Sequence, residues 1–322
     1  MLPANASMPR LTFGIALDFG TQLRPLHAQL ERQSALLEAA ETAGFEIVAA
    51  GESAAPGTFH LPNALLVLAA LAQRTRLRLC TGIALLPAWP ARKLALDAAE
   101  LDQLSGGRLI LGVGLGSPPL QSRAGWLAGA IGETADETLE ALRRLWAGAP
   151  EYAGTYVTAA GALPVLPVTK AGVPIWVGGA IRRSAMRAAR LGDGWYGGIN
   201  FPLARLPLQT QIYRHALGGV NGTVAVNRLA LVADTEREID DLVQRYLATS
   251  LQAYAQPGES ARQAIDNVSL VGTPSHVAEL LERYAAARVT HVFARLSLDA
   301  MPPEVARRTI ELFGREVIPR FT

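Results

Sequence analysis

Residues 79–116, LCTGIALLPAWPARKLALDAAELDQLSGGRLILGVGLG, constrain the fold more than any other stretch of the chain. They read as a buried strand, a long loop, an amphipathic helix, a tight Gly turn and a second buried strand, one complete βαβ unit. Such units put loops at the carboxyl ends of both strands, where folds of this kind assemble their chemistry. The alternation continues along the chain. Strands are expected near 11–17, 45–50, 76–84, 108–113, 174–178, 194–198, 227–233 and 290–296. Helices are expected near 25–43, 62–73, 91–104, 133–147, 182–191, 203–216, 235–247, 275–287 and 303–317. Several strands are apolar on consecutive residues, as parallel strands covered on both faces should be. The pattern predicts an α/β fold, a (β/α)₈ barrel forming one domain over residues 11–322 behind a tail at 1–10. An open doubly wound sheet is the alternative, but it needs only five or six strands. Residues 149–173 and 248–273 break the rhythm and read as insertions at the carboxyl-terminal face: a short hairpin or loop, and a longer segment of the kind that forms lids or binding elements.

Composition removes several classes of function. Among 322 residues carrying a net charge of +2, the basic side chains are nearly all Arg, scattered, with Lys93 and Lys170 the only lysines. No basic stripe points to nucleic acid. Cys80 is the single cysteine, so an intrachain disulfide and a cysteine metal site are both excluded, and a reducing cytoplasm is expected. The segment MLPANASMPR lacks the apolar core of a signal peptide, and no apolar run spans a bilayer. His-x-His, HExxH and GxSxG patterns are absent, which argues against a metal-dependent or serine hydrolase.

Three glycine patterns carry information of their own. Gly178-Gly179 sits between a strand and a helix beginning near Arg182, where free N–H groups and the helix dipole favour an anion. Gly82 interrupts an apolar strand, consistent with a bulge or a close backbone approach to a ligand. Gly112, Gly114 and Gly116 clear side chains from the end of another strand, but they do not form a dinucleotide fingerprint.

The motifs taken together resemble the bacterial luciferase-like superfamily of flavin-dependent oxidoreductases. The matching segments are Leu101–Arg108 (LDQLSGGR) with Leu111–Gly116 (LGVGLG), Ala40–Glu46 (AETAGFE), Pro174–Gly179 (PIWVGG), Leu191–Trp195 (LGDGW) and Val271–Ser275 (VGTPS), in the order the family has them. The resemblance implies an enzyme, a monooxygenase using reduced FMN and O₂ on a small, largely apolar substrate. It also implies a separate flavin reductase, because no NAD(P)H fingerprint is visible. Hydride transfer with the deazaflavin coenzyme F420 on the same fold is the rival reading, and a flavin-binding protein without catalysis is the third.

The resemblance assigns the flavin phosphate to Gly178, Gly179, Ala180, Ile181 and Ser184, with Arg182 and Arg183 adding charge or facing solvent. It backs the flavin ring with Thr81, Gly82 and Ile83, often through a non-proline cis peptide, here Gly82–Ile83, and lays the ring near Gly114. Glu52 matches the family's acidic residue at the end of strand 2, but Ser53 stands where a His is expected. His60 lies in the loop leaving that strand and is the substitute candidate, so Glu52 and His60 are the expected catalytic pair. Asp18, Arg295, Trp89 and Trp195 are weaker candidates for the pocket. The helix at 62–73 is apolar nearly all round, which predicts cover by another surface and hence a homodimer or a dimer of dimers.

Overall fold

The computed structural model describes residues 10–17, 19, 25–52, 63–116, 118–199, 201–252, 260–296 and 301–322. In chain order the elements are β1 (Thr12–Leu17), α1 (Leu26–Thr42), β2 (Ile47–Ala50), α2 (Ala64–Ala72), β3 (Arg78–Thr81), β4 (Ala84–Leu85), α3 (Ala91–Ser105), β5 (Leu109–Gly114), α4 (Pro118–Arg123), α5 (Ile131–Trp146), β6 (Glu151–Ala153) and β7 (Thr158–Ala160). They continue with β8 (Ile175–Gly178), α6 (Arg182–Leu191), β9 (Gly194–Gly197), α7 (Leu206–Ala216), β10 (Thr223–Val232), α8 (Glu236–Leu242), α9 (Ala248–Gln252), α10 (Ala261–Val268), β11 (Ser269–Gly272), α11 (Pro274–Ala286), β12 (His291–Arg295) and α12 (Pro303–Leu312). Strands β1, β2, β3, β5, β8, β9, β10 and β12 pair in that order, all parallel, and β12 returns to β1, so the sheet closes into a (β/α)₈ barrel. No helix among the described residues is long and apolar enough to cross a membrane.

Strand periodicity decides what fills the barrel. Side chains alternate between the two faces, so on β12 His291, Phe293 and Arg295 share a face at successive heights. Phe293 packs in the interior with Ala16, Ile47, Ala49, Cys80, Ile110, Trp176, Tyr196 and Ala225. Gly14 on β1 makes room for it: a Cβ there would fall 2.4 Å from the Phe293 ring. Trp176 touches His291 below (ring centroids 5.0 Å) and Tyr196 on its other side (6.4 Å), so an aromatic plug closes the barrel beneath its carboxyl-terminal mouth.

The motifs that mark the family are mostly fasteners of the fold. After α3 the chain reverses through Gly106 and Gly107, both at positive φ (67° and 81°). Arg108 then donates to the carbonyls of Ser105, Thr75, Leu77 and Ala72 at 2.7–2.9 Å, tying the ends of α2 and α3 together. Glu41 accepts from Arg76 N at 2.7 Å and from the Thr75 hydroxyl. Asp193 accepts from Ile175 N at 2.7 Å and pairs with Arg143.

Two sequence expectations change. The segment 248–273 was expected as an insertion of the lid or binding kind; it contains α9, α10 and a short strand, β11. β10 starts at Thr223, four residues before the expected 227, and runs ten residues; it pairs with β12 as far as Leu229, and its last four residues, Leu229–Val232, pair with Ser269–Gly272. The segment 149–173 does hold the expected hairpin, β6 against β7, with Glu137 of α5 accepting the N–H groups of Thr155, Tyr156 and Val157 at its turn.

Candidate active site

A cavity of about 680 Å³ opens at the carboxyl ends of the barrel strands, the size and place expected of a small-molecule site on this fold. Gly82, Ile83, Gly114, Gly178, Gly179, Ala180, Ile181 and Ser184 all line it, which gathers eight of the nine expected cofactor residues into one wall. The peptide between Gly82 and Ile83 is cis. Glycine is required beside it: a Cβ on Gly114 would lie 2.1 Å from Ile83 Cδ1, and one on Gly178 3.3 Å from the same atom. The side chain of Ile83 therefore packs across bare backbone and forms the apolar wall with Leu85, Leu115 and Ile131.

Thr81 is the ninth residue, and it does not reach the cavity. Its neighbours Cys80 and Gly82 face the interior side, so Thr81 faces the other way, fully buried, with its hydroxyl donating to Gly112 O at 2.6 Å. It holds β3 to β5 instead of touching a ligand.

At the outer end of the cavity lies the N-terminus of α6. Gly179 sits at φ +150°, and a Cβ there would be 2.5 Å from that of Ser184. The Gly179 N–H is engaged by Tyr196 O at 3.3 Å, and its carbonyl accepts from the buried Trp195 indole at 3.0 Å. Trp195 thus fixes the turn from behind and does not wall the pocket. The helix has no side-chain N-cap; the Ser184 N–H and hydroxyl both donate to Ile181 O, at 3.0 and 2.6 Å, so the N–H groups of Arg182 and Arg183 are the ones left for an anion among the described residues. Arg182 and Arg183 were the expected cations; both are exposed and neither lines this cavity. The cation there is Arg187, buried and held by Asp136 and by Gly132 O at 3.1 Å. Arg190 pairs with the same Asp136. The signal for Arg187 is helix phase: it follows Ser184 by three residues and so shares its face.

The inner end is formed by Tyr196, Asn227 and Arg295. Tyr196 and Asn227 are 3% and 6% exposed. Asn227 Nδ2 donates to the Tyr196 hydroxyl at 3.4 Å, while Asn227 Oδ1 is buried with no partner among the described residues. Burial pushes the Tyr196 phenol well above its usual range, so it stays protonated. Arg295 was an expected candidate; Tyr196 and Asn227 were not.

Glu52 stands apart from the cavity. Its carboxylate accepts from Leu85 N at 2.8 Å, Trp89 Nε1 at 3.1 Å and Ala64 N at 3.1 Å. Burial raises its pKa while these three donors hold it down, burial being the stronger. Trp89 thereby serves the Glu52 network and borders a separate groove. Ser53, His60 and Asp18 lie outside the described residues. Among the described residues no cluster of His, Cys, Asp or Glu could hold a metal ion.

This donor set fits a flavin. The uncapped helix terminus with Arg187 suits a phosphate, the Ile83 wall suits an apolar ring face, and Asn227 Oδ1 is an acceptor that a ligand N–H can meet.

Comparison with known proteins agrees with this geometry. The family model described as luciferase-like monooxygenase matches residues 11–291. A 4-hydroxyprotoasukamycin monooxygenase of Streptomyces nodosus subsp. asukaensis is 30% identical over 95% of this chain and 92% of its own length. The oxygenase component of a flavin-dependent trigonelline monooxygenase of Acinetobacter baylyi is 32% identical over 44% of this chain and 41% of its own. A putative coenzyme F420-dependent oxidoreductase of Mycobacterium tuberculosis is 32% identical over 56% and 54%. Among solved structures, the monooxygenase RslO1 from Streptomyces bottropensis superposes with a TM-score of 0.85 at 26% identity, covering 97% of this chain and all (100%) of that one.

Proposed function

This chain belongs to the luciferase-like monooxygenase family, and from that premise we propose that it is a monooxygenase using reduced FMN and O₂ to oxidise a small, largely apolar organic substrate. Its relatives are monooxygenases and F420-type oxidoreductases. The observation that carries the choice of FMN is the outer end of the cavity. One buried cation, Arg187, meets one uncapped helix terminus there, and Arg187 and Arg190 share the single Asp136 carboxylate, which leaves one net positive charge. That arrangement suits a single phosphate, while the adjoining groove lined by Arg183, Arg187 and Arg190 is where a longer anionic tail would run, so titration has to separate the two flavins.

Reduced FMN, when bound, supplies the electrons that activate oxygen. The chain's part is to bind, orient and keep dry. The N–H groups of Arg182 and Arg183 at the start of α6 and the Arg187 guanidinium hold the phosphate, with Ser184 lining the same turn. Ile83 backs the ring, and Leu85, Leu115, Ile131 and Ile199 exclude water from the face where substrate approaches. Glu52 acts as a positioning residue: by fixing the N–H of Leu85 and the indole of Trp89 it sets the segment that carries Ile83. A general acid or base role falls to His60. Reduced flavin comes from a separate reductase, in keeping with the relative named as an oxygenase component. A cytoplasmic setting fits the single cysteine, Cys80, which is buried.

Equilibrium titration with FMN, riboflavin and coenzyme F420, followed by anaerobic reduction and an oxygen pulse, tests this reading. Preference for FMN with oxygen consumption on addition of substrate is expected. Tight F420 binding without FMN binding would overturn it in favour of hydride transfer, and tight FMN binding with no turnover of any substrate would leave a flavin carrier.

A further inference from the structure

The innermost polar groups of the cavity are unfinished. Asn227 Oδ1 is a buried acceptor with no donor among the described residues. The Tyr196 oxygen already accepts from Asn227 Nδ2, so its own hydrogen is turned away from that amide, and no described residue accepts it. Both side chains are held in place. A Cβ on Gly82 would come within 2.9 Å of the Tyr196 hydroxyl, which places that oxygen beside the cis peptide. The main-chain carbonyl of Asn227 is gripped by Arg228, whose guanidinium also binds Gly198 O, Phe201 O and the Tyr284 hydroxyl, so the backbone that carries the amide is fixed. The two groups therefore present an acceptor and a donor side by side to whatever fills the inner end.

Resting on the FMN reading above, we propose that Asn227 and Tyr196 recognise the pyrimidine edge of the flavin ring, Asn227 Oδ1 accepting its imide N–H and the Tyr196 hydroxyl donating to an adjacent ring carbonyl. The two edges of the ring differ in the relevant chemistry. The pyrimidine edge carries an N–H flanked by two carbonyls, and the dimethylbenzene edge carries no polar atom. With the latter against the floor, a buried acceptor and a buried donor would both stay unpaired, the expensive arrangement for groups cut off from water. With the former, both are satisfied and the ring is fixed in one of its two possible senses. Which edge meets Tyr196 in turn decides which side of the ring system faces the substrate space, so Asn227 becomes an orienting residue as well as a binding one.

The test compares FMN with N3-methyl FMN, which lacks the imide hydrogen, by equilibrium binding to the full-length protein. The wild type should bind the methylated flavin at least tenfold more weakly than FMN. Asn227→Ala, which removes the acceptor and makes room for the methyl group, should bring the two affinities to within about threefold. Tyr196→Phe should weaken both flavins several-fold and leave their ratio in place. Equal binding of the two flavins by the wild type would overturn the assignment and needs no variant to read. An Asn227→Ala protein that keeps a tenfold ratio would overturn it as well. Failure of the wild type to bind FMN at all would instead strike the FMN reading. If only the deazaflavin binds, its own N3-methyl derivative decides the same question, because it has the same imide.

Discussion

The indole N–H of Trp89 donates to Glu52 Oε2 over 3.1 Å, joining the end of β2 to the segment that follows the cis peptide. The Leu85 N–H reaches the same oxygen at 2.8 Å, and the Glu52 backbone N–H returns a bond to Ile83 O at 2.9 Å. An acidic side chain at the rim of a barrel invites a catalytic reading; among the described residues three N–H donors, from Leu85, Trp89 and Ala64, meet this carboxylate and tie it to the segment that carries Ile83. Glu52→Gln must turn an amide NH₂ toward at least one of these donors. The expected cost is about 1–3 kcal/mol, read as a lower urea midpoint with weaker FMN binding. Trp89→Phe, which removes one donor only, should cost less. A Glu52→Gln protein with unchanged stability and flavin affinity but lost turnover would return Glu52 to catalysis.

Arg187→Gln removes the one guanidinium lining the cavity's outer end while Asp136 keeps Arg190 as its partner, so no carboxylate is stranded. FMN affinity should fall at least tenfold, about 1.4 kcal/mol, and riboflavin affinity should hold, since only FMN carries the phosphate. Fluorescence titration with both ligands separates these outcomes. An unchanged ratio between the two would place the phosphate elsewhere.

How much of this was legible in the sequence varies with the physical signal. Glycines in unusual places, Gly82 inside an apolar strand and Gly178-Gly179 before a helix, announce close backbone approach, and they led to the cavity wall. Thr81 could have been set aside by strand parity, because it alternates with inward-facing Cys80 and Gly82. Arg187 is hidden among Arg182, Arg183 and Arg190 on one short helix, and only its phase relative to Ser184 separates it from them. Asn227 and Arg228 look like a polar break in an apolar strand. They are polar because one faces the cavity and the other satisfies carbonyls outside the barrel. β11 was missed because a four-residue run, Ser269–Gly272, following a helix carries no period, and the end of β10 that pairs with it is a tertiary fact.

His291 provides a pH-dependent term. Burial, with a smaller contribution from Arg78, lowers its pKa from 6.5 to about 4, so the native state resists protonation that the unfolded chain accepts. Stability is therefore full above the unfolded value and declines as the pH falls from about 6.5 to about 4, with no further loss from this group below that. A 2.5-unit difference at about 1.36 kcal/mol per unit corresponds to about 3 kcal/mol. Urea unfolding at pH 4.5 and 7 should show this loss in the wild type and a smaller one in His291→Gln. Parallel pH profiles for the two proteins would contradict it.

Arg228 is fully buried and has no carboxylate partner among its described hydrogen bonds. Its charge is met by three carbonyls and the Tyr284 hydroxyl (2.6 Å), with the guanidinium 5.1 Å from the Tyr284 ring centroid. Two of those carbonyls, Gly198 and Phe201, belong to the chain leaving β9, where Gly198 and Ile199 line the cavity. Arg228→Met should cost at least about 3 kcal/mol, because several acceptors lose a charged donor at once. Flavin affinity should fall with it. A thermal unfolding midpoint within two or three degrees of wild type would be inconsistent with this role.

The apolar character of α2 divides into two causes. Ala64, Leu65, Val67, Leu68, Leu71 and Ala72 are buried within this chain, which accounts for most of the pattern. Leu66 is not: it is 68% exposed, and Leu104 on the adjacent α3 is 61% exposed. The two helices are neighbours, joined where Gln73 Nε2 donates to Leu104 O at 3.2 Å. Exposed leucines on adjacent outer helices form an apolar face that a second copy of the chain can cover, and twofold pairing is the commonest closure. Light scattering at micromolar concentration should give the mass of two chains, and Leu66→Glu should raise the dissociation constant at least tenfold while leaving the circular dichroism spectrum intact. A wild-type mass equal to one chain refutes the dimer, and a dimer undisturbed by Leu66→Glu places its interface on another face.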